Sequence, residues 1–210
     1  MNKETGAGEL VAAARRTRST TVRMLGGWAL LANGFVQIFI IIGVVVIGGD
    51  APIFLVVSEV LSVLLLLGLP AIQALQPQTG RLGQAGLWCL GIGAGIAFVV
   101  RVILLTSTVA VGDLVPLISA LFGLVGSVVV GWVTIRARVF PPAVGWLLLV
   151  GGVLNVLSAY TPAGLFTTLL GIVSALAEAG AVAGYGWTIV RSTRELPWLA
   201  RDRVDERNGS

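Results

Sequence analysis

The chain has 210 residues, of which 56% are hydrophobic and 11% charged, and its formal net charge is +4. It contains no histidine, which excludes bis-histidine haem ligation, histidine-containing zinc sites, Ser–His catalysis and imidazole proton relays. Its single cysteine, Cys89, excludes an intrachain disulfide and a CxxC redox centre. This composition indicates a membrane protein rather than a water-soluble domain, and we expect no cofactor.

Six apolar runs are long enough to cross a hydrocarbon core about 30 Å thick, which takes about 20 helical residues. The sequence therefore predicts an all-α membrane protein, a bundle of six transmembrane helices. The predicted spans are residues 25–47, 53–75, 87–105, 114–135, 143–160 and 165–190. Residues 1–24 are predicted to form a mobile cytoplasmic arm, and residues 191–210 a peripheral cytoplasmic tail.

The basic residues predict the orientation of these spans. Thirteen of the fourteen Lys and Arg residues precede the first span, follow the sixth, or lie in the connections after spans two and four. The other connections, residues 48–52, 106–113 and 161–164, contain none. The positive-inside rule then places both termini in the cytoplasm of a multi-pass protein of the cell (inner) membrane. Attraction to anionic lipid headgroups accounts for the net charge, so we expect the lipid bilayer and no nucleic acid as a partner.

Other residue types mark the ends and the contacts of the spans. Tryptophan is predicted to anchor the cytoplasmic interface, and Pro70 to kink or end span two. Glycines four or three residues apart predict close helix packing, within the bundle or in a homo-oligomer or larger membrane complex. The tryptophans are Trp28, Trp88, Trp132, Trp146 and Trp187, and the glycine pairs are Gly91 with Gly95, Gly123 with Gly126, and Gly180 with Gly184.

A weak internal repeat relates the first and fifth spans. Residues 27–38 match residues 145–156 in their Gly-Trp start, in a later glycine, and in an amide that is Gln37 in one copy and Asn155 in the other. A helix that carries one acidic residue follows each copy. The pattern supports the hypothesis that hairpins 1–2 and 5–6 are parallel repeats, as in some transporter folds.

Residues 138–152 contain a basic residue, an aromatic residue and prolines, followed by a glycine and an aliphatic run. This short segment resembles the corresponding loop and helix of a bacterial family of small six-helix membrane proteins that is known only as a domain of unknown function. The resemblance implies a bundle in the bacterial inner membrane. It implies no activity and no functional residue.

Two charged residues, Glu59 and Arg101, lie inside the second and third spans. A charge at the centre of a membrane helix costs about 2.5–3.5 kcal/mol on insertion scales, so such residues usually face the bundle interior or water. Both lie at a similar distance from the outer end of their span, which predicts a Glu59–Arg101 pair. That pair would be either structural or part of a site. The alternative is an arginine that reaches outward toward Asp113, although Asp113 is more simply an N-cap of span four.

Glu178 lies near the middle of the sixth span, between alanines too small to shield it. Burial disfavours the charged form of a carboxyl group, so we expect a neutral Glu178 that can donate a hydrogen bond. Gln37 is at nearly the same depth in the first span and shares a helical face with Asn33. The pair is either an interhelical hydrogen bond or a site for a proton or polar ligand.

Three classes of function remain. The first is a small transporter or ligand-binding bundle, with Arg101 as a substrate anchor and Glu178 as a proton acceptor. A cavity lined by Glu178, Gln37, Asn155, Glu59 and Arg101 would favour this class. The second is a structural or accessory subunit of a larger complex, which a closed bundle with an exposed small-residue face would favour. The third and least favoured is an intramembrane lipid enzyme, because no nucleophile or second carboxylate accompanies the acids.

We predict that cysteines placed at positions 3 and 205 are protected from a membrane-impermeant thiol reagent in intact cells, while one at position 50 reacts. The reason is the distribution of basic residues, which places both termini in the cytoplasm. The measurement uses a Cys89→Ser background. Labelling at position 3 or 205, or protection at position 50, would contradict this topology.

Overall fold

The computed structural model describes residues 4–47, 52–76, 79–106, 112 and 114–208. Side chains are described between residues 20 and 193, apart from those at 47, 52, 55 and the gaps just given. The described residues form six α-helices and no strand, as predicted. The helices are α1 (Glu4–Ile47), α2 (Pro52–Leu75), α3 (Gly80–Thr106), α4 (Leu114–Ala137), α5 (Pro142–Tyr160) and α6 (Leu165–Asn208).

All six helices are long and apolar enough to cross a membrane, so the chain is an integral membrane protein. The first and last are longer than their predicted spans, with 44 residues each. At about 1.5 Å per residue they measure about 66 Å, roughly twice the hydrocarbon thickness. Among the residues whose side chains are described, Thr20–Val46 of α1 and Leu165–Thr193 of α6 have the composition of a span. Helix α2 continues through Pro70 to Leu75, so Pro70 does not end it.

The helices form a closed ring. Each packs antiparallel against the next one in the chain, and α6 returns to pack against α1. The α2–α3 contact is the least extensive of the six. Helices about 10 Å in diameter that stand in a ring of six leave a central space roughly one helix wide. Whether that space is filled depends on the side chains that point inward.

Glycine brings neighbouring helices into backbone contact at several points of the ring. A Cβ atom on Gly34 would lie 2.7 Å from the carbonyl oxygen of Ala179, across the α1–α6 contact. A Cβ atom on Gly131 would lie 2.7 Å from the carbonyl oxygen of Gly145, between α4 and α5. Real Cβ atoms do not approach an oxygen so closely, and any larger residue would force these helices apart.

The six glycines of the predicted pairs divide into two groups. A Cβ atom would meet a neighbouring helix at Gly91, Gly126, Gly180 and Gly184, as predicted. At Gly95 and Gly123 it would meet nothing within 4 Å, so these two positions do not need glycine to avoid a clash. Spacing in the sequence shows which glycines share a face, but not whether that face meets a helix or an empty space.

Among the described side chains, the large ones fill the ring at one end, which we call the closed end. Tyr185, Phe140 and Leu30 are almost completely buried there. Phe140 comes from the α4–α5 connection and meets Tyr185 edge to face, with ring centroids 4.8 Å apart and planes at 76°. The arginines at the helix ends, including Arg81, Arg136 and Arg191, lie at this same end because the helices alternate in direction.

Leucine, valine, isoleucine and phenylalanine side chains dominate the outer surface along the whole ring. The five tryptophans predicted to anchor the membrane are also exposed outward, between 45% and 64% of their surface. Each lies within about two helical turns of an arginine at the closed end. An apolar belt with indoles at one rim is the surface expected of a bundle surrounded by lipid.

Candidate functional site: a polar cavity within the ring

The half of the ring away from the closed end contains a cavity of about 610 Å³. All six helices contribute to its lining. Leu65, Leu148 and Val182 lie where it meets the closed end, and the last two belong to the buried core. In the other direction it reaches Pro116 in the first turn of α4 and Ser158 in the last turn of α5. We call that side of the bundle the open end.

The cavity exists because small residues face inward in the open half. Gly93, Ala94 and Ala97 of α3 line it, as do Gly123 of α4 and Gly171 of α6. A Cβ atom on Gly123 or Gly171 would meet nothing within 4 Å. The ring therefore has the same number of helices at both ends, but its centre is filled only where large side chains point inward.

Glu178 of α6 lies on the cavity wall and accepts a hydrogen bond from Asn155 of α5, with Nδ2 and Oε1 3.2 Å apart. Close packing holds α5 and α6 together here, because a Cβ atom on Gly151 would lie 2.7 Å from Cγ of Glu178. Next to it, the Ser174 hydroxyl donates to the carbonyl oxygen of Gly151 over 2.8 Å. The predicted partner of Glu178 was Gln37, and that pairing is wrong. Gln37 lines the same cavity, but Asn155 is the residue that meets the carboxyl group.

Arg101 of α3 also lines the cavity. Its Nη1 donates to the carbonyl oxygen of Ser58 and to the hydroxyl oxygen of Ser62, over 3.4 and 3.3 Å. The Ser62 hydroxyl donates its own hydrogen to the carbonyl oxygen of Ser58, so its oxygen is available to accept from Arg101. The Ser58 hydroxyl donates to the carbonyl oxygen of Phe54 and takes no part in the contact with Arg101. The guanidinium group therefore binds α2 through neutral oxygens, rather than reaching outward from the membrane.

Glu59 and Arg101, the pair predicted from the sequence, interact electrostatically but form no hydrogen bond. Glu59 is only 9% exposed, and neither of its carboxyl oxygens has a hydrogen-bond partner. The residue does not line the cavity, whereas its neighbours Ser58 and Ser62 do. Matched depth was a correct reason to expect contact between α2 and Arg101. It could not tell which α2 side chains point at the guanidinium group, because adjacent helical residues point about 100° apart.

Among the inward-facing polar residues, Asn33 was recognised in the sequence by its position on the face of Gln37, whereas Ser58, Ser62 and Ser119 were not singled out. Asn33 of α1 donates to the carbonyl oxygen of Leu61, with 2.5 Å between the atoms, and Ser119 of α4 donates to that of Gly93 over 2.9 Å. Both residues line the cavity. Serines at Ser58 and Ser62 are four apart and hence on one helical face. Such spacing within an apolar span was the available signal for a polar wall.

A buried hydrogen-bonded chain crosses the closed end. Gln76 at the end of α2 donates from Nε2 to the hydroxyl oxygen of Thr134 in α4, over 3.1 Å. That hydroxyl is also 2.7 Å from the hydroxyl of Tyr185 in α6. All three side chains are buried, so the chain links three helices within the closed end. Together with Phe140 it bounds the cavity on that side.

The chemistry of the cavity is that of binding polar groups and exchanging protons. Arg101 supplies a fixed positive charge, Glu178 a titratable carboxyl group, and Gln37 and Asn155 supply amides that both donate and accept. The two charged residues are on α3 and α6, which are opposite one another in the ring. The residues that the structure describes contain no cluster of three or more metal-ligating side chains of the Cys, Asp or Glu type.

Comparisons of the chain with models of protein families, with curated proteins and with solved structures gave no significant match.

We predict an energetic coupling between Glu178 and Asn155 that Glu178 and Gln37 do not share. Removing both members of a hydrogen-bonded pair costs less than the sum of the single changes, typically by about 0.5–3 kcal/mol. The measurement is a double-mutant cycle of unfolding free energies, with Glu178→Ala combined with Asn155→Ala or with Gln37→Ala. Additive effects for the Asn155 pair, or equal coupling for both pairs, would contradict the observed geometry.

Proposed function

We propose that this protein binds a small polar solute in its central cavity and carries it across the membrane, as a small transporter-like bundle. Four of the five predicted site residues support this function, since Gln37, Arg101, Asn155 and Glu178 all line one cavity. Charged and amide side chains within a bilayer are costly unless they face a bundle interior or water, and they usually mark a substrate or ion pathway.

The observation that carries the proposal is the convergence of these groups on an unfilled space. A subunit that only supports other membrane proteins needs polar residues to hold its helices together, and those residues would be paired across filled contacts. Here the Glu178–Asn155 pair and the Arg101 guanidinium group border a cavity of about 610 Å³. That volume is within the usual range of small-molecule sites, about 300–1,000 Å³.

Glu178 is the residue we propose for coupling to protons. When ionised, its carboxylate accepts from the Asn155 amide, and when protonated it can donate to a solute or to the amide oxygen of Asn155. The gain or loss of a proton therefore changes the hydrogen bonds that the cavity offers. If a solute competes with Asn155 for the Glu178 carboxyl group, that group is protonated to a different extent in the occupied cavity and in the empty one.

Transport also requires that the cavity open toward the other side. The closed end would then act as the gate, and the chain of Gln76, Thr134 and Tyr185 is the contact that must separate. Hydrogen bonds of this kind contribute only about 0.5–1.5 kcal/mol each, which is compatible with reversible opening. This layer is thin compared with the apolar contacts that hold neighbouring helices together around the ring.

Three cysteine variants on α6 test alternating access without knowledge of the solute. Ala175→Cys lies in the cavity, Leu176→Cys is on the lipid-facing surface, and Ala181→Cys is in the buried core. Each is made in a Cys89→Ser chain and exposed to a small charged thiol reagent from one face of oriented vesicles, then from the other. We predict that Ala175→Cys reacts from both faces and Leu176→Cys from neither.

The core position Ala181→Cys is predicted to react slowly, and only from the face of the closed end, because it becomes exposed when the gate opens. Reaction of Ala175→Cys from one face alone would mean a static binding cavity. Reaction from neither face would remove the proposed function and leave the accessory-subunit hypothesis.

A further inference from the structure

Glu59 is unusual among the described charged residues because it is buried and its carboxyl group is unsatisfied. Both oxygens are shielded from solvent and neither has a hydrogen-bond partner. An unpaired buried carboxylate is strongly unfavourable, so the group must either hold a proton or acquire a cation. The proposed function of the cavity makes no use of it.

The cation nearest to this carboxyl group in the fold is Arg101. Its guanidinium group is bonded to Ser58 and Ser62, which precede Glu59 by one residue and follow it by three on α2. These bonds are long, at 3.4 and 3.3 Å, and both acceptors are neutral. Arg101 acts electrostatically on Glu59 without a hydrogen bond to it. One arginine thus stands between an unpaired carboxyl group and an open cavity.

We propose that the cavity binds a small organic anion at Arg101, and that Glu59 competes with this anion for the guanidinium group. This inference rests on the proposed solute-binding function of the cavity. With Glu59 protonated, Arg101 is available to an anion in the cavity. With Glu59 ionised, a change of the flexible arginine side chain pairs the two residues and withdraws the positive charge from the cavity.

The competition follows from charge balance. One guanidinium group cannot neutralise two carboxylates in a low-dielectric layer, so binding of an anion favours uptake of one proton by Glu59. No covalent bond changes: the proton binds to the Glu59 carboxylate, and the anion takes its place beside Arg101. The anion and the proton enter together, and the net charge inside the bundle stays constant.

Among the described residues of the neighbouring helices, no other titratable group faces Glu59 as a charge. Helix α2 packs on α1, on α3 and weakly on α6. Between Met24 and Ile47, α1 contains no titratable residue, and the span of α3 beyond Arg81 contains Cys89 and Arg101. The titratable residues within the span of α6 are Glu178, on the cavity wall, and Tyr185 and Arg191, at the closed end. Arg101 is therefore the charged group whose pairing responds to the state of Glu59.

The lining indicates the chemical class of the anion. Aliphatic side chains such as Ile40, Leu61 and Leu90 border the cavity beside its polar residues. Arginine recognises planar or branched oxyanions through paired donors, and only one of its terminal nitrogens is engaged with α2. A carboxylate or sulfonate with an apolar body would satisfy both parts of the wall.

Benzenesulfonate and its uncharged counterpart benzenesulfonamide test this inference by isothermal titration of the purified full-length protein. The sulfonate keeps its charge between pH 5.5 and pH 7.5, so any pH dependence belongs to the protein. We expect at least about tenfold tighter binding at the lower pH, and titration in two buffers of different ionisation enthalpy should show uptake of about one proton per anion. Benzenesulfonamide should show neither effect.

Four variants assign the effect to residues. Glu59→Gln should bind the sulfonate equally at both pH values, and Arg101→Gln should lose binding of the sulfonate but not of the sulfonamide. Val60→Ala, next to Glu59 but on the lipid-facing surface, is the matched control and should keep the pH dependence. Thermal unfolding of each variant checks that the bundle is intact. If the pH dependence of sulfonate binding persists in Glu59→Gln but disappears in Glu178→Gln, the proton belongs to Glu178 and the inference is overturned.

Failure of this inference is distinguishable from failure of the proposed function. If the original chain and Arg101→Gln bind each probe with the same affinity, the cavity still binds solutes but Arg101 is not an anion site. Binding of neither probe would also overturn the anion site, while accessibility of Ala175→Cys decides separately whether the cavity opens to both faces.

Discussion

The contact between the first and last transmembrane helices determines the rest of the structure, because it closes the ring. Gly27, Gly34 and Gly186 let α1 and α6 approach until backbone meets backbone, where a Cβ atom on Gly186 would lie 2.7 Å from the carbonyl oxygen of Gly27. Lipid offers no hydrophobic force for helix association, so such close packing supplies much of the attraction. If this contact were lost, the six helices would form an open row and their polar faces would meet lipid.

Once the ring is closed, the shape of its central space depends on the size of the inward-pointing side chains at each level of the bundle. Tyr185, Phe140 and Ile189 fill the centre at the closed end, where the Thr134 hydroxyl also joins two helices. Glycine, alanine and serine leave the other half unfilled. Among the described residues, the centre of the bundle is filled at one end and unfilled in the other half, which is compatible with the transport proposed above. The closed end is where a change of packing would have the largest effect on access to Glu178.

Hydropathy and charge spacing predicted the six spans well, because crossing a bilayer imposes length and composition on each helix by itself. The contacts inside the bundle were less accessible to this reasoning. Counting residues gave comparable depths for Glu178 and Gln37, yet Asn155 is the partner, since depth does not specify which helices are neighbours around a ring. Asn155 was recognised as a polar residue of the cavity, but only the α5–α6 contact places it beside the carboxyl group.

The hydrogen-bond partners of Arg101 were missed for a related reason. One residue along a helix turns the side chain by about 100°, so Arg101 bonds to Ser58 and Ser62, whereas it acts on Glu59 only through its charge. Phe140 could not be recognised as a core residue, because its burial depends on how the short α4–α5 connection folds back onto Tyr185. The orientation of the termini and the relation between hairpins 1–2 and 5–6 stay predictions from the sequence.

The decisive measurement is the infrared difference spectrum between the original protein and Glu178→Gln, recorded in lipid before and after transfer to D₂O. It isolates the carboxyl band of a single residue near the middle of the membrane. The spectrum is recorded at a pH at which Glu178 is protonated. If the ring encloses a cavity that water enters, the carboxyl proton should exchange for deuterium and this band should shift immediately on transfer. A band that stays unshifted in D₂O while the protein remains folded would show that Glu178 is sealed within the bundle, and would contradict the water-accessible cavity.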